Sequence, residues 1–403
     1  MTAATLGIPA ERYAARLAAA RRETAAAGLD ALLVGVGADL QYLAGYAAHP
    51  LERLTLLVVP AAAGAPMTLV APRLEATPAR TCPAAETGAV TVATWEETED
   101  PMLLVAALLD GAAGRGAGDT GDTGATHASG ATGAVAVSDG LRAAFVLGLQ
   151  RVLPGTRFTV ASTVLRWLRM RKDADEIALL REAAHAADRV VLAIAAGRLV
   201  GRTEADVARE IRERLLAEGH ELAAFSIVAS GPNSASPHHA PGDRVIAPGE
   251  PIVIDIGGTL GGYGSDITRT VWVRGEGGPG PDDGFRRLYD VLQGAQAAAT
   301  AAVAPGVAAE RIDAVARGII DAAGYGEAFF HRTGHGIGLE GHEDPYVVTG
   351  NAEPLAGGMT FSVEPGIYLE GRYGARIEDI VACGASGPDV LNEATRDLLV
   401  VRG

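Results

Sequence analysis

Five side chains able to ligate a metal stand in chain order between residues 255 and 378, each in its own Gly- or Pro-punctuated, strand-like stretch. They are Asp255 in PIVIDIGG, Asp266 in GSDITRT, His335 in HRTGHGIGLEGHE, Glu364 in FSVEPGIY and Glu378 in ARIEDIVA. Any fold that gathers these strands must bring four carboxylates and an imidazole together. An acid among apolar strand positions is expensive unless it is paired or metal-bound. Two divalent ions sharing a water take this donor set.

The rest of the chain leaves room for such a centre. At 403 residues, two or three domains are expected, and 48% apolar content suffices for buried cores. A net charge of −15 argues against a nucleic-acid partner, which needs a basic face. The two cysteines, Cys82 and Cys383, lie in different segments, so no disulfide framework is expected. The N-terminus mixes Ala with early charges and has no continuous apolar core of a signal peptide. No stretch reaches the roughly eighteen apolar residues of a membrane span. The expectation is a cytoplasmic protein without a membrane partner.

Residues 1–165 alternate helix-like and strand-like segments. An Ala/Arg helix over 11–27 is followed by strand-length apolar runs at 31–35, 54–60, 67–72 and 90–95. A helix over 102–110, a strand over 134–140 and a helix over 141–151 complete an α/β layer domain. The run 111–133, rich in Gly, Thr and Ala, has almost nothing to bury and reads as a flexible surface insertion, its His127 without function. The charged stretch from 163 to 200 predicts one or two helices linking this domain, 1–165, to a second, 166–403. Thr203-Glu-Ala-Asp206 has the capping-box pattern of a helix start. The helix-like run 308–324 echoes the one after Thr203, which suggests an internal duplication.

PIVIDI reads as a short strand ending in an acid, GGTLGGYG as a turn and SDITRTVWV as the returning strand of a hairpin. Asp266, Thr268, Thr270 and Trp272 then share one face. With Asp255 on the same side, two carboxylates would repel until one took up a proton or a cation arrived. His331, His335 and His342 sit in a Gly-rich run too irregular for a helical face, and this is not the HExxH zinc motif. Pro365 stops the strand at Glu364. Glu378 is expected mid-strand, with Arg376 on the same strand face as its plain ion-pair partner or as a group orienting substrate. Upstream, His238 is a candidate proton donor in a Gly/Ser/Pro loop, and His239 is read as its bystander.

The blocks IVASGPNSASPHH, VIDIGGTLGGYGSDITRT, HRTGHGIGLEGHEDP, SVEPGIY and ARIEDIV resemble the signature segments of the prolidase and aminopeptidase P family. That family is the Xaa-Pro branch of the pita-bread metallopeptidases, alongside methionine aminopeptidase and creatinase. The resemblance extends through RKDADEIALLREA to GADLQYLAGY in the N-terminal part. It implies a creatinase-like α/β N-terminal domain followed by a pita-bread catalytic domain, an α/β plus α+β chain. By position it assigns Asp255, Asp266, His335, Glu364 and Glu378 to a dinuclear site, bridged by Asp266 and Glu378, holding two Mn²⁺, with Co²⁺ or Zn²⁺ as alternatives.

The activity implied is hydrolysis of the bond preceding proline in short peptides by a metal-bridging hydroxide. Glu364 would shuttle the proton, His342 and His238 would contact the scissile carbonyl or the tetrahedral intermediate, and His331 and Arg376 would line the pocket or support ligands. A homodimer or homotetramer is implied. The insertion at 111–133 departs from the family pattern; none of the five ligand positions does. The expected activity is an Xaa-Pro dipeptidase. The alternative is an Xaa-Pro aminopeptidase acting on longer peptides. Methionine aminopeptidase lacks the α/β domain in front, and metal-free creatinase and non-catalytic pita-bread binding modules lack the intact ligands.

Overall fold

The computed structural model describes residues 7–112 and 133–402. The Gly/Thr-rich run, apart from its two edges, lies outside the described residues, and so does His127. The chain forms two compact units, one spanning residues 8–169 and the other beginning at Met170.

The N-terminal unit runs α1 (Ala10–Ala26), β1 (Ala31–Gly35), α2 (Ala38–Ala44), β2 (Leu56–Pro60), β3 (Thr68–Pro72), α3 (Ala76–Arg80), α4 (Pro83–Glu86), β4 (Thr91–Trp95), α5 (Pro101–Ala112), β5 (Ala134–Val137), α6 (Ala143–Val152), β6 (Arg157–Val160) and α7 (Ser162–Met170). Its strands form one mixed sheet in the order β4-β3-β2-β1-β5-β6. β1, β2 and β3 carry continuous apolar runs because both of their faces are covered, and every one of their residues is buried. The segments that sequence reading passed over, α2, α3, α4 and β6, are short and lack a sustained period.

The second unit opens with α8 (Ala174–Ala196) and α9 (Glu204–Ala217), followed by β7 (Leu222–Ser230), β8 (Glu250–Leu260) and β9 (Tyr263–Val273). Next come α10 (Asp283–Ala301), α11 (Ala309–Ala322), β10 (Gly334–Gly336), β11 (Glu343–Val347), β12 (Thr360–Val363), β13 (Gly366–Leu369), β14 (Tyr373–Arg376), β15 (Asp379–Cys383), β16 (Pro388–Val390) and β17 (Leu399–Val401). The stretch 163–200 is thus two helices. Asp173 breaks them by capping α8, accepting from the backbone of Asp175 and Glu176 while the Glu176 carboxylate reaches back to Asp173 N. Thr203 caps α9 through Asp206 N. Thr203 and Ala308, the residues just before α9 and α11, also make matching isolated antiparallel bridges, to Val245 and Pro354.

The strands form a four-stranded sheet, β17-β9-β8-β7, a five-stranded sheet, β11-β10-β12-β15-β16, and the hairpin β13–β14. The period-two rule sorts the long hairpin β8–β9. Ile252, Ile254, Ile256, Ile267 and Val271 face Val190, Ile194, Ile211 and Leu215 of α8 and α9 in one core. Each such aliphatic side chain contributes about 1.5–3 kcal/mol by burial. The opposite face of the same strands is left for Asp255, Asp266, Thr268 and Thr270. A second core joins α10 and α11 to β12, β13 and β15 through Leu288, Leu292, Ile312, Phe361, Ile367 and Val381.

The glycine-rich run between β8 and β9 departs from the turn expected of it. The run GGTLGGYG is not all turn, since β8 continues to Leu260 and only Gly261 and Gly262, at φ 58° and 80°, reverse the chain. Gly257 and Gly258 instead extend the strand where a side chain has no space: a Cβ there would strike the Ser265 and Leu222 carbonyls.

Candidate metal centre

The register of β8 and β9 pairs Asp255 with Thr268 and Gly257 with Asp266, so the two aspartates are diagonal neighbours on one face. His335 reaches that face from β10. Both flanking positions must be glycine, because a Cβ at Gly334 or Gly336 would collide with the carbonyls of Ser362 or Asp344. Asp313 of α11 fixes the approach to β10 by accepting from Thr333 N at 3.1 Å and Thr333 Oγ1 at 2.7 Å. Arg317 holds the same loop through the carbonyls of Phe329 and His331.

His335 is set up as a ligand. Its Nδ1 donates to the Gly336 carbonyl at 3.1 Å, which leaves the Nε2 lone pair 3.3 Å from Glu364 Oε1 and 3.7 Å from Asp266 Oδ2. Burial, then His342, pushes its pKa down to about 3, so the ring is neutral. Glu364 follows β12 and accepts from Ser362 Oγ at 3.0 Å. Glu378 accepts from Thr268 Oγ1 at 2.7 Å. It does not lie mid-strand as expected: it occupies the gap between β14 and β15 and pairs by a single bridge with Thr268.

Ligand atoms of Asp266, His335 and Glu378 lie within 4.8 Å of one another. The Oδ1 atoms of Asp255 and Asp266 are buried without a hydrogen-bond partner. Burial, then the neighbouring carboxylates, drives Asp266 and Glu378 well above the usual carboxylate range. Burial likewise lifts Glu364 to about 7, against the pull of Arg376. Orphaned oxygens, crowded acids and a neutral imidazole aimed among them are the donors that a hard cation takes, so the residues fit a divalent metal.

Of the alternatives for Arg376, the ion pair with Glu378 is not formed: its partner is Asp255. Its Nη2 donates to Asp255 Oδ2 at 2.5 Å because the β13–β14 hairpin docks on β9 through Thr270 Oγ1, aiming the guanidinium along the sheet face. Nη1 donates to the Tyr368 hydroxyl at 2.8 Å, and that hydroxyl lies 3.0 Å from His331 Nε2. His331 Nδ1 donates to the Arg332 carbonyl, so Tyr368 must donate to Nε2, and burial lowers the ring to about 4. His331 thus ends a relay from Asp255 through Arg376 and Tyr368. Tyr368 escaped the sequence reading, although its signal was there: Gly366 and Gly374 flank its ring so closely that a Cβ on either would strike it.

His342 stacks on His335 with ring centroids 3.8 Å apart, and Arg332 Nη2 lies 3.2 Å from its Nδ1. His238 follows Pro237, whose carbonyl accepts from Arg376 at 3.3 Å. His239 turns away, its Nε2 lying 2.7 Å from Glu204 Oε2. Glu204, fully buried at the start of α9, also accepts from Ser230 N, Ser230 Oγ and Asn233, and so ties down the loop that bears His238.

A buried carboxylate–imidazole cluster lined by three further histidines defines a metal-dependent hydrolase. The family model of metallopeptidase family M24 matches residues 178–385, and that of the creatinase/prolidase N-terminal domain matches residues 16–171. The chain belongs to metallopeptidase family M24. It is 47% identical over 393 residues to the probable dipeptidase PepE of Mycobacterium tuberculosis, covering 97% of each chain. The crystal structure of dipeptidase PepE from Mycobacterium ulcerans superposes with a TM-score of 0.87 at 44% identity, over 98% of this chain and 99% of that one. The Xaa-Pro dipeptidase of Pyrococcus furiosus is 37% identical over 243 residues, 60% of this chain and 68% of its own. The creatinase-like N-terminal domain, the pita-bread catalytic domain and a hydrolase dependent on divalent metal are as the sequence implied. Among the described residues no helix is long and apolar enough to cross a membrane.

Proposed function

We propose that this chain is a cytoplasmic, homo-oligomeric Xaa-Pro dipeptidase that hydrolyses the bond preceding proline, with two Mn²⁺ held by Asp255, Asp266, His335, Glu364 and Glu378. The observation that carries the reading is the pair of orphaned, buried Oδ1 atoms on Asp255 and Asp266 beside a neutral His335. The dipeptidase names of its relatives support the substrate class. When bound, the ions supply Lewis acidity for the scissile carbonyl and for water.

The chain's own residues do the rest. Glu364, lifted to about 7, is poised to take a proton near neutrality and return it to the departing imino nitrogen. His342 and His238 present N–H groups to the developing oxyanion. Arg376 holds Asp255 oriented, while Tyr368 and His331 form the wall behind it. Proline has no N–H to grip and fixes its own φ, so a pocket dedicated to its ring suits such a substrate.

Asp266→Asn and Glu378→Gln test the assignment. Each should lose metal stoichiometry and hydrolysis together while keeping the wild-type circular dichroism. Full metal loading in both variants would refute it.

A further inference from the structure

A dipeptide presents a problem that a longer peptide does not. The carboxylate of an Xaa-Pro substrate belongs to the residue after the scissile bond, within about 4 Å along the chain. It must therefore settle beside Asp255, Asp266, Glu364 and Glu378, and only a nearby cation with free donors makes that favourable.

Most cations around the centre already have their donors committed. Arg376 spends Nε on Thr268, Nη1 on Tyr368, and Nη2 on Asp255 and Pro237. Arg317 is bidentate to Asp313 and also serves two carbonyls. Lys172 is buried against Glu343. Arg269 is consumed by Asp379 and by the carbonyls of Thr268, Glu378, Ala394 and Thr395. Arg332 differs. It is half-buried, and it has no ion-pair partner among the described residues. Its hydrogen bond to His342 Nδ1 at 3.2 Å uses one of its donors.

Its position is equally specific. The guanidinium lies 4.5 Å from the centroid of the Tyr346 ring, which holds its plane while leaving its edge free. It stands one imidazole away from the metal ligand His335, because the His342 ring separates them. We propose that Arg332 is the specificity-determining residue that receives the free carboxylate of an Xaa-Pro dipeptide, through the guanidinium edge left open beside His342 and Tyr346. The assignment rests on the Xaa-Pro reading above and deepens it, since it supplies the group that selects dipeptides over longer chains.

The test pairs a change in the enzyme with a change in the substrate. Metal-loaded wild type, Arg332→Gln and Arg332→Lys are each assayed on Ala-Pro and on its C-terminal amide. Wild type should prefer the free acid. Arg332→Gln should collapse that preference by about 10- to 100-fold, the range of a lost charge-assisted hydrogen bond, with the change mainly in KM. Arg332→Lys, which keeps a charge and a donor, should keep part of it. A role exerted only through His342 would lower both substrates equally and leave the ratio unchanged, and that result overturns the proposal. So does a wild type that does not distinguish acid from amide. Failure of the underlying reading looks different, since wild type would then hydrolyse neither substrate.

Discussion

Arg376 and Asp255 are joined by a 2.5 Å hydrogen bond across two strands that are 121 residues apart in the chain, with the arginine side chain 3% exposed and the aspartate 11%. The bond leaves one Asp255 oxygen occupied and the other without a partner. A single carboxylate is thereby given two tasks, to fix the β13–β14 hairpin and to offer an oxygen to the centre.

Removing the arginine leaves that carboxylate buried and uncompensated. Arg376→Gln should cost the metal-free protein about 3 kcal/mol or more, read by urea denaturation. Arg376→Lys should recover little, since one ammonium cannot replace a guanidinium that reaches Thr268, Tyr368 and Asp255 together. A Lys variant as stable and active as wild type would contradict this.

Metal uptake should release protons. Glu364, at about 7, holds a proton part of the time near neutrality, Asp266 and Glu378 are held well above the usual carboxylate range, and all three must be deprotonated to coordinate. Calorimetric titration with Mn²⁺ in buffers of different ionisation enthalpy should show the release, and affinity should weaken as pH falls.

The same groups set the stability of the metal-free form. A carboxyl whose folded pKa is raised contributes stability while protonated and loses it as pH rises through the folded value. His335 and His331, depressed to about 3 and about 4, oppose this only below their ordinary 6.5. Above that value the carboxyls act alone. The melting temperature of metal-free protein should therefore fall from pH 6.5 through about 7, the value of Glu364, and that of metal-loaded protein should not follow it.

Glu204→Ala should damage the site from a distance. Four residues of the 230–242 loop, Ser230, Asn233, His239 and Gly242, would lose a buried acceptor, at about 3 kcal/mol or more in all. Hydrogen exchange should rise across that loop, and kcat should fall through His238 with metal content unchanged. Normal protection there would show that the loop is held by other contacts.

Gly334→Ala tests the backbone of the centre. Its Cβ would meet the Ser362 carbonyl and push β10 from β12, carrying His335 with it. Metal affinity should drop about tenfold or more, as ligand misplacement does, while the remote α8–α9 core stays intact.

The candidate donors stood out in the sequence because each falls within or next to a strand-like stretch with its own Gly or Pro punctuation, and local pattern marks such places. The face shared by Asp266, Thr268 and Thr270 followed from the period of two. Pairings between distant strands were less legible. Arg376 appeared two residues from Glu378, yet its partner lies on β8, and nothing local encodes how the hairpin docks. GGTLGGYG was read as a turn because glycine serves both reversal and close strand packing, and only the neighbouring Ser265 and Leu222 backbones separate those uses. His239 looked idle because its partner, Glu204, lies 35 residues upstream at a helix start.

Metal-dependent cleavage of the bond before proline is open to direct test. Product analysis tests it on protein stripped by chelation and reloaded with Mn²⁺, offered Ala-Pro, Ala-Pro-Ala and Ala-Ala side by side. Release of alanine and proline from Ala-Pro, with little from the other two and none before reloading, is the expected result. Cleavage of Ala-Pro-Ala at its Ala–Pro bond in preference to Ala-Pro would make the enzyme an aminopeptidase instead. Silence on both proline substrates with metal bound would exclude a proline-directed peptidase.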